Sequence, residues 1–295
     1  MVLKIIKGTI FLFLTGLGIL GNILVFVNYM CIFFLGTEKK SLHLILIHLA
    51  FTNILILFSR GIPKTIAAFG LTNFLDDTGC KMVVYVERVA RGLSICTCSL
   101  LTVVQAITIS PRASVWGKLN PRFTRHIFPY FLFFWILNSL ISMNLLYYIK
   151  NISSMNISQM GESDNYCYFL PQSQIIKWIF LILMVLRDAL FQGLMGWTSG
   201  YMVFLLHKHH EHVLYLQNSK FLYKTPPEIK AAQSVLLLML CFFPFYWTDC
   251  IISFYLSSSL GNNSITVNVQ GFLTLGYSIL SPFVLIHRDG QKAKC

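Results

Sequence analysis

The stretch GTIFLFLTGLGILGNILVFVNYMCIFFLGT, Gly8 to Thr37, decides the fold, because it holds no Asp, Glu, Lys or Arg. A membrane-crossing helix needs about 20 consecutive, mostly apolar residues, and this one stretch already exceeds that. Further charge-free runs follow at 41–59, 92–111, 126–149, 189–207, 231–248 and 250–287. The last is too long for one span, and Ser257-Ser258-Ser259-Leu260-Gly261-Asn262-Asn263 supplies a turn inside it. The runs predict helices at about 9–35, 42–69, 80–110, 127–149, 175–206, 230–256 and 266–287. That is an all-α membrane protein, a bundle of seven transmembrane helices forming one domain over 1–295.

Composition excludes the soluble alternative. Hydrophobic residues make up 56% of the 295-residue chain and charged residues 12%, with a mean hydropathy of +0.67. A soluble domain carries about 25% charged residues. The net charge of +12 raises the question of nucleic acid, but its distribution answers it. Thirteen Lys and Arg fall in alternate connecting segments and the C-terminus, among them Lys39, Lys40, Arg112, Lys118, Arg122, Arg125, Lys208, Lys220 and Lys224. Only Lys4, Lys7, Lys81, Lys150 and Lys177 fall in the others. Basic residues collect in cytoplasmic loops, so the N-terminus is expected outside and the C-terminus in the cytoplasm. The glycosylation sequons at Asn151, Asn156 and Asn262 all lie in the expected outer loops. Met1 to Thr15 resembles a signal peptide, yet the apolar stretch runs on to Leu35; an uncleaved first helix is expected.

Eight cysteines are present. Cys31, Cys96, Cys98, Cys241 and Cys250 lie within spans, where a packed thiol is the ordinary role. Cys80 and Cys167 fall at the outer face, where oxidation is permitted. A bridge between them would close a long loop, worth about 4.5 kcal/mol on the chain-entropy model, and would tie segment 151–174 across the top of the third helix. No HExxH, GxSxG or phosphate-binding glycine loop occurs, so no enzyme, cofactor or metal site is expected. The run His207-Lys208-His209-His210-Glu211-His212 reads as a solvated helix end.

Charges inside the spans carry more information. Arg60, Lys64, Glu87, Arg88, Arg91, Arg187, Asp188 and Asp249 all lie within or at the rim of expected helices. A charge at the bilayer centre costs about 2.5–3.5 kcal/mol on insertion scales, so these must face one another or a wet cavity. Cys80, Glu87 and Arg91 share a helix face at i, i+7 and i+11, and the whole set falls in the outer half of the bundle. Glu87, Arg88, Arg91, Arg187, Asp188 and Asp249 are therefore the candidate ligand-binding residues. Trp247 joins them from the aromatic run Phe242, Phe243, Phe245, Tyr246 and Trp247. The competing role is structural: internal ion pairs, such as Glu87 with Arg91, that fix packing alone. Pro244 and Pro282 interrupt helices six and seven and are candidate hinges.

Several stretches carry a resemblance across nearly the whole chain. They are Arg60-Gly-Ile-Pro63-Lys-Thr-Ile-Ala-Ala-Phe-Gly70, Glu87-Arg-Val-Ala-Arg91-Gly-Leu-Ser and Leu100-Leu-Thr-Val-Val-Gln105-Ala-Ile-Thr-Ile-Ser-Pro111, with Ser281-Pro282-Phe-Val-Leu-Ile-His-Arg288 near the end. With Gly21-Asn22, Trp135 and the Cys80–Cys167 pair, the chain resembles G-protein-coupled receptors, and within them the vomeronasal type-1 receptors. The resemblance implies a multi-pass plasma-membrane receptor for a small pheromone-like molecule, signalling through an inhibitory-class heterotrimeric G protein, with membrane lipid around it and no nucleic acid partner. Gln105, Arg112, Lys118, Arg122 and Lys224 would then face the G protein.

Where rhodopsin-like receptors carry an acidic-Arg-aromatic triplet, this chain reads Val104-Gln105-Ala106. Asn53 stands in place of their sodium-binding Asp, and Ser281-Pro282 in place of their Asn-Pro. Bitter-taste receptors share the architecture but lack a Cys80-type bridge and the Ser281 stretch. A transporter or channel would use the buried charges as a permeation path, and would commonly show internal repeats, of which this chain has no sign.

Overall fold

A computed structural model describes residues 2–35, 40–71, 74–111, 114, 127–143, 146, 149–151, 167–169, 174–217, 227–258 and 264–289. Among these the helices form seven rods. They are α1 (Val2–Leu35), α2, α3 (Asp77–Ile109), α4 (Ile127–Ser142), α5 (Gln174–Gln217), α6 (Pro227–Ser258) and α7 (Ser264–Asp289). The second rod, α2, is continuous but built from three pieces: Lys40–Ile56, a π-helical turn Leu57–Gly61, and Ile62–Ala68. Five rods are long and apolar enough to cross a bilayer; the apolar stretches of α4 and α7, Ile127–Ser142 and Gly271–His287, are shorter.

Of the helix expected over 127–149, α4 takes Ile127–Ser142, and Ile149–Asn151 form a strand, β1. It pairs antiparallel with β2 (Cys167–Phe169), with Ile149 opposite Phe169 and Asn151 opposite Cys167. The reason lies in a covalent tie. Cys167 is disulfide-bonded to Cys80, 87 positions earlier, and the bond holds β2 over the start of α3 as a template for β1. Both cysteines are buried against Ala67 and Val84. The start of α3 is itself fixed by Asp76, whose carboxylate accepts the Gly79 backbone N–H at 2.7 Å, an N-cap that answers one of the helix's unpaired donors.

α3 is the axle of the bundle: every residue from Val89 to Ile107 is buried. The outer rods are apolar where they face outward. Leu12, Phe13, Trp197 and Phe204 are all more than half exposed, which suits hydrocarbon and would not suit water.

Since lipid tails are as apolar as leucine, hydrogen bonds between helices carry much of the specificity here. Three ties recur along the rods. In the first, Asn53 donates to Ser281 Oγ at 2.8 Å and to Asn22 Oδ1 at 3.2 Å, while Asn22 donates to the Ser278 carbonyl at 2.7 Å, joining α1, α2 and α7. In the second, Trp135 Nε1–H donates to His48 Nε2 at 3.1 Å. His48 Nδ1 must then carry the ring proton, and it faces Thr97 Oγ1 at 2.9 Å, joining α2, α3 and α4. Phe131 stacks on the same imidazole at 4.2 Å. In the third, Thr198 donates to Thr102 at 3.0 Å, joining α5 to α3.

Removing Asn53 should leave Asn22 and Ser281 with buried polar atoms short of a partner, at a cost of about 1–3 kcal/mol. Thermal unfolding of the detergent-solubilised protein should therefore fall for Asn53→Ala well beyond Ser278→Ala, whose hydroxyl reaches Asn53 only at 3.5 Å. Equal midpoints for the two variants would count against the tie.

Candidate functional site

The span charges meet at the disulfide end of the bundle, and their geometry begins with Pro63. A proline ring cannot donate to the helical ladder and crowds the carbonyl four residues back. The helix widens just before it into the Leu57–Gly61 π-turn, with the Ile62 N–H bonded to the Leu57 carbonyl. Such single-turn bulges re-aim the side chains they carry. Arg60 lies in this turn and donates to Glu87 Oε1 on α3.

One turn further along α3, Arg91 Nη1 lies 2.7 Å from Asp249 Oδ2 on α6. The other oxygen of Asp249 accepts from Thr274 of α7 at 2.8 Å. Arg91 Nη2 reaches the Cys250 sulfur at 3.5 Å, and the guanidinium lies 5.8 Å from the Tyr246 ring centroid. Its Nε–H is buried without an acceptor among the described residues.

The third pair belongs to α5. Arg187 holds Asp188 Oδ1 through Nε at 2.8 Å and Nη2 at 2.6 Å, and its Nη1 donates to Asn138 Oδ1 of α4 at 2.8 Å. Gly92 makes this crossing possible. A Cβ there would overlap both Asn138 Oδ1 and Arg187 Nη1. Gly271 of α7 does the same for Lys64, whose Nζ occupies the space a side chain would take.

Five of the residues expected to bind ligand thus come together in buried pairs: Glu87, Arg91, Arg187, Asp188 and Asp249, each no more than 7% exposed. Glu87 pairs with Arg60 of another helix rather than with Arg91 one turn away. Arg88 is half-buried on the same turn of α3. Trp247 is not brought to the cluster; it faces outward and is 57% exposed. Helical rotation gives the inward place to Tyr246, which stacks on Phe242 at 4.0 Å and meets Tyr277 edge-on at 5.7 Å. The pairing role of Arg60 and the parts of Asn138, Thr274 and Gly92 were not singled out in the sequence. The available signal was a lone amide, hydroxyl or glycine inside an apolar span.

At the opposite end Gln105 is buried, and its amide nitrogen has no partner among the described residues. Arg112, Lys118, Arg122, Lys224, Asn156 and Asn262 lie outside the described residues, and Asn151 ends β1. Pro244 and Pro282 stand inside α6 and α7, and Pro282 packs against Gly21 of α1.

Residues 5–295 match the model of the vomeronasal organ pheromone receptor family. The chain belongs to this family. It is 34% identical over 275 residues to human vomeronasal type-1 receptor 4, covering 93% of this chain and 91% of that one. It is 34% identical to human vomeronasal type-1 receptor 3, over 95% and 90% of the two chains. To the zebrafish (Danio rerio) olfactory receptor class A-like protein 1 it is 31% identical, over 95% and 88%. As a vomeronasal-family protein it is a chemosensory G-protein-coupled receptor, a multi-pass protein of the plasma membrane with a small-molecule ligand and a G-protein partner. It is not an enzyme, and the family sets aside the bitter-taste and transporter readings.

Gly92→Ala should be among the most damaging small substitutions in this vomeronasal-family receptor. The added methyl must displace Arg187 from Asn138, leaving a buried charge short of its partners, which costs about 3–5 kcal/mol where a pair is broken outright. Surface delivery and thermal stability should fall sharply for Gly92→Ala and little for Gly200→Ala, where a Cβ meets nothing. Wild-type behaviour of Gly92→Ala would refute the packing described.

Proposed function

We propose that this receptor takes its ligand at the cluster built on Glu87, Arg91, Arg187, Asp188 and Asp249, entering from the outside, with the N-terminus out and the C-terminus in the cytoplasm. The observation that carries this reading is the convergence of charge from four rods, α2, α3, α5 and α6, with α7 adding Thr274 and α4 adding Asn138. A packing device needs only to be neutral and saturated, and this one is neither. Five cations (Arg60, Lys64, Arg88, Arg91, Arg187) stand with three carboxylates in the spans. Two buried donors, Arg91 Nε and Gln192 Nε2 one turn inward of Asp188, have no acceptor among the described residues. Convergent polar groups inside a helix bundle are where small-molecule sites form, and unpaired donors at such a place favour a ligand rich in acceptors.

Ligand that competes for Arg91 would loosen its hold on Asp249 and so release α6, with Pro244 as the pivot and Pro282 as a second hinge in α7. Motion at the inner ends would present Gln105 and the basic loops holding Arg112, Lys118, Arg122 and Lys224 to an inhibitory-class G protein. Their charges would mainly speed encounter. Glycans on Asn151, Asn156 and Asn262 fit the outer side.

The test is a ligand screen in cells with a G-protein readout, run on the wild type and on Glu87→Gln, Arg91→Ala and Asp249→Asn. Loss of a charge-assisted hydrogen bond to ligand costs about 1.5–3 kcal/mol, so half-maximal concentrations should rise about ten- to a hundredfold, with surface expression largely kept. Pertussis toxin should abolish the response. Parallel loss of expression and response across all three variants would favour the packing role, and toxin-resistant signalling would exclude the inhibitory class.

A further inference from the structure

Every carboxylate within the spans is committed to an arginine: Glu87 to Arg60, Asp249 to Arg91 and Asp188 to Arg187. Two cations are left over. Among the described residues, neither Lys64 of α2 nor Arg88 of α3 makes a side-chain hydrogen bond or an ion pair. Both are half-buried, inside spans that are otherwise apolar.

Helix spacing sets the two in one layer. The Lys64 Nζ lies against Gly271 of α7, only 2.2 Å from where a Cβ would stand. Gly271 is nearly one turn from Thr274, and Arg88 is nearly one turn from Arg91. Thr274 and Arg91 hold the two oxygens of one carboxylate, Asp249. The Lys64 ammonium and the root of Arg88 therefore belong to the next layer toward the disulfide. The charges of Arg60, Glu87 and Asp249 act on both, that of Lys7 on Lys64 and that of Arg91 on Arg88. The layer is positive on balance.

Like charges in a water-poor layer are costly unless an opposite charge stands with them. The carboxylates of the spans cannot serve, because releasing one from its arginine only moves the imbalance. The demand also holds whether or not a ligand is present. It falls to an anion that is always at hand on the outer face, and chloride is the inorganic anion that extracellular fluid holds in abundance.

We propose that Lys64 and Arg88 hold a small monovalent inorganic anion, chloride, as the counter-ion of the receptor without ligand. Lys64 offers a compact point charge with three donors, and Arg88 a flat fork with five. The ion offsets the repulsion of these two cations across α2 and α3, while Gly271 gives the ammonium its berth on α7. The inference rests on the outward facing of the disulfide end proposed above, but on no contact between ligand and the charge cluster.

The experiment uses the full-length receptor in non-ionic detergent, without ligand, in sodium chloride made up with sodium gluconate to about 0.15 M ionic strength. Chloride exchanging with a protein site broadens the chlorine-35 resonance. The wild type should broaden it beyond empty micelles, and the excess should saturate as chloride rises. Lys64→Gln should weaken chloride binding about tenfold, the worth of one charge-assisted hydrogen bond. Gly271→Ala should do the same while keeping every charge, because its methyl displaces the ammonium. Lys4→Gln, which removes an exposed charge from α1, should leave the excess unchanged. Arg88→Gln should also weaken binding, and it supplies the test should either of the first two variants fail to fold. No saturable excess in the wild type, an excess kept by Lys64→Gln, Gly271→Ala or Arg88→Gln, or one lowered equally by Lys4→Gln would overturn the proposal. The ligand site is judged separately. Absent chloride broadening beside shifted ligand responses in the cluster variants would refute the ion alone, and saturable broadening beside unshifted responses would refute the ligand reading alone.

Discussion

Arg91 and Asp249 stand 2.7 Å apart in a part of the bundle where neither charge would be tolerated alone. Removing two ions from water costs several kcal/mol each, and their attraction returns that only when geometry and extra hydrogen bonds are good. Here the extra bonds come from Thr274, with Cys250 and the Tyr246 ring on the arginine side. The pair contributes little net stability against a hydrophobic substitute, but it fixes which face of α6 meets α3. Asp249 turned inward forces Trp247 outward and places Tyr246 and Phe242 against Tyr277. The same constraint, applied to Glu87 and Arg187, sets the facing of α2 and α5 around the buried axle of α3.

Neutral polar groups do the equivalent work lower in the bundle. Asn53 and Ser281 occupy positions where rhodopsin-like receptors carry Asp and Asn. The structure makes them a direct hydrogen-bonded pair at 2.8 Å, with Asn22 as the third member. An Asn at this point supplies donor and acceptor together and needs no counter-ion. The joint of α1, α2 and α7 is held without a fixed charge, which separates it electrically from the charged end.

Much of this was legible in the sequence, because the bilayer imposes a coarse rule that composition obeys. Charge-free runs mark the rods, and the exceptions inside them mark the cluster. Cys80 and Cys167 are readable as a pair because topology brings both to one face. Pairing between helices was not readable. Glu87 and Arg91, one turn apart, look like partners by helical spacing, yet the π-turn before Pro63 swings Arg60 into reach of Glu87 and frees Arg91 for α6. A local backbone irregularity thus decides a long-range contact. The strand at the far end of the expected fourth helix has a similar cause. Apolar residues past Ser142 satisfy the composition of a span, while the disulfide-held strand at Cys167 recruits Ile149–Asn151 into a ladder. Propensity gave way to a covalent constraint set elsewhere in the chain.

The distribution of restraints along α3 bears on how such a receptor switches. At the disulfide end α3 is fastened to α6 by an ion pair. Midway, Cys98 meets Tyr277 at 3.1 Å, and Tyr277 lies beside the Phe242–Tyr246 stack that surrounds Pro244. At the other end Gln105 is buried, with no partner for its amide nitrogen among the described residues, and as a neutral side chain it provides none of the ionic fastening an arginine would give. Among the described residues, α6 therefore meets α3 through an ion pair at the disulfide end and through packed apolar side chains such as Ala232, Val235, Leu238 and Met239 at the other. Pro244, inside α6 between these two zones, is the proposed pivot. Under the proposed ligand site, weakening the Arg91–Asp249 contact at the top would be converted into displacement at the bottom, with no second ion pair between α3 and α6 to break among the described residues. With ligand at the proposed site, the threshold for activation would lie in the ion pair itself.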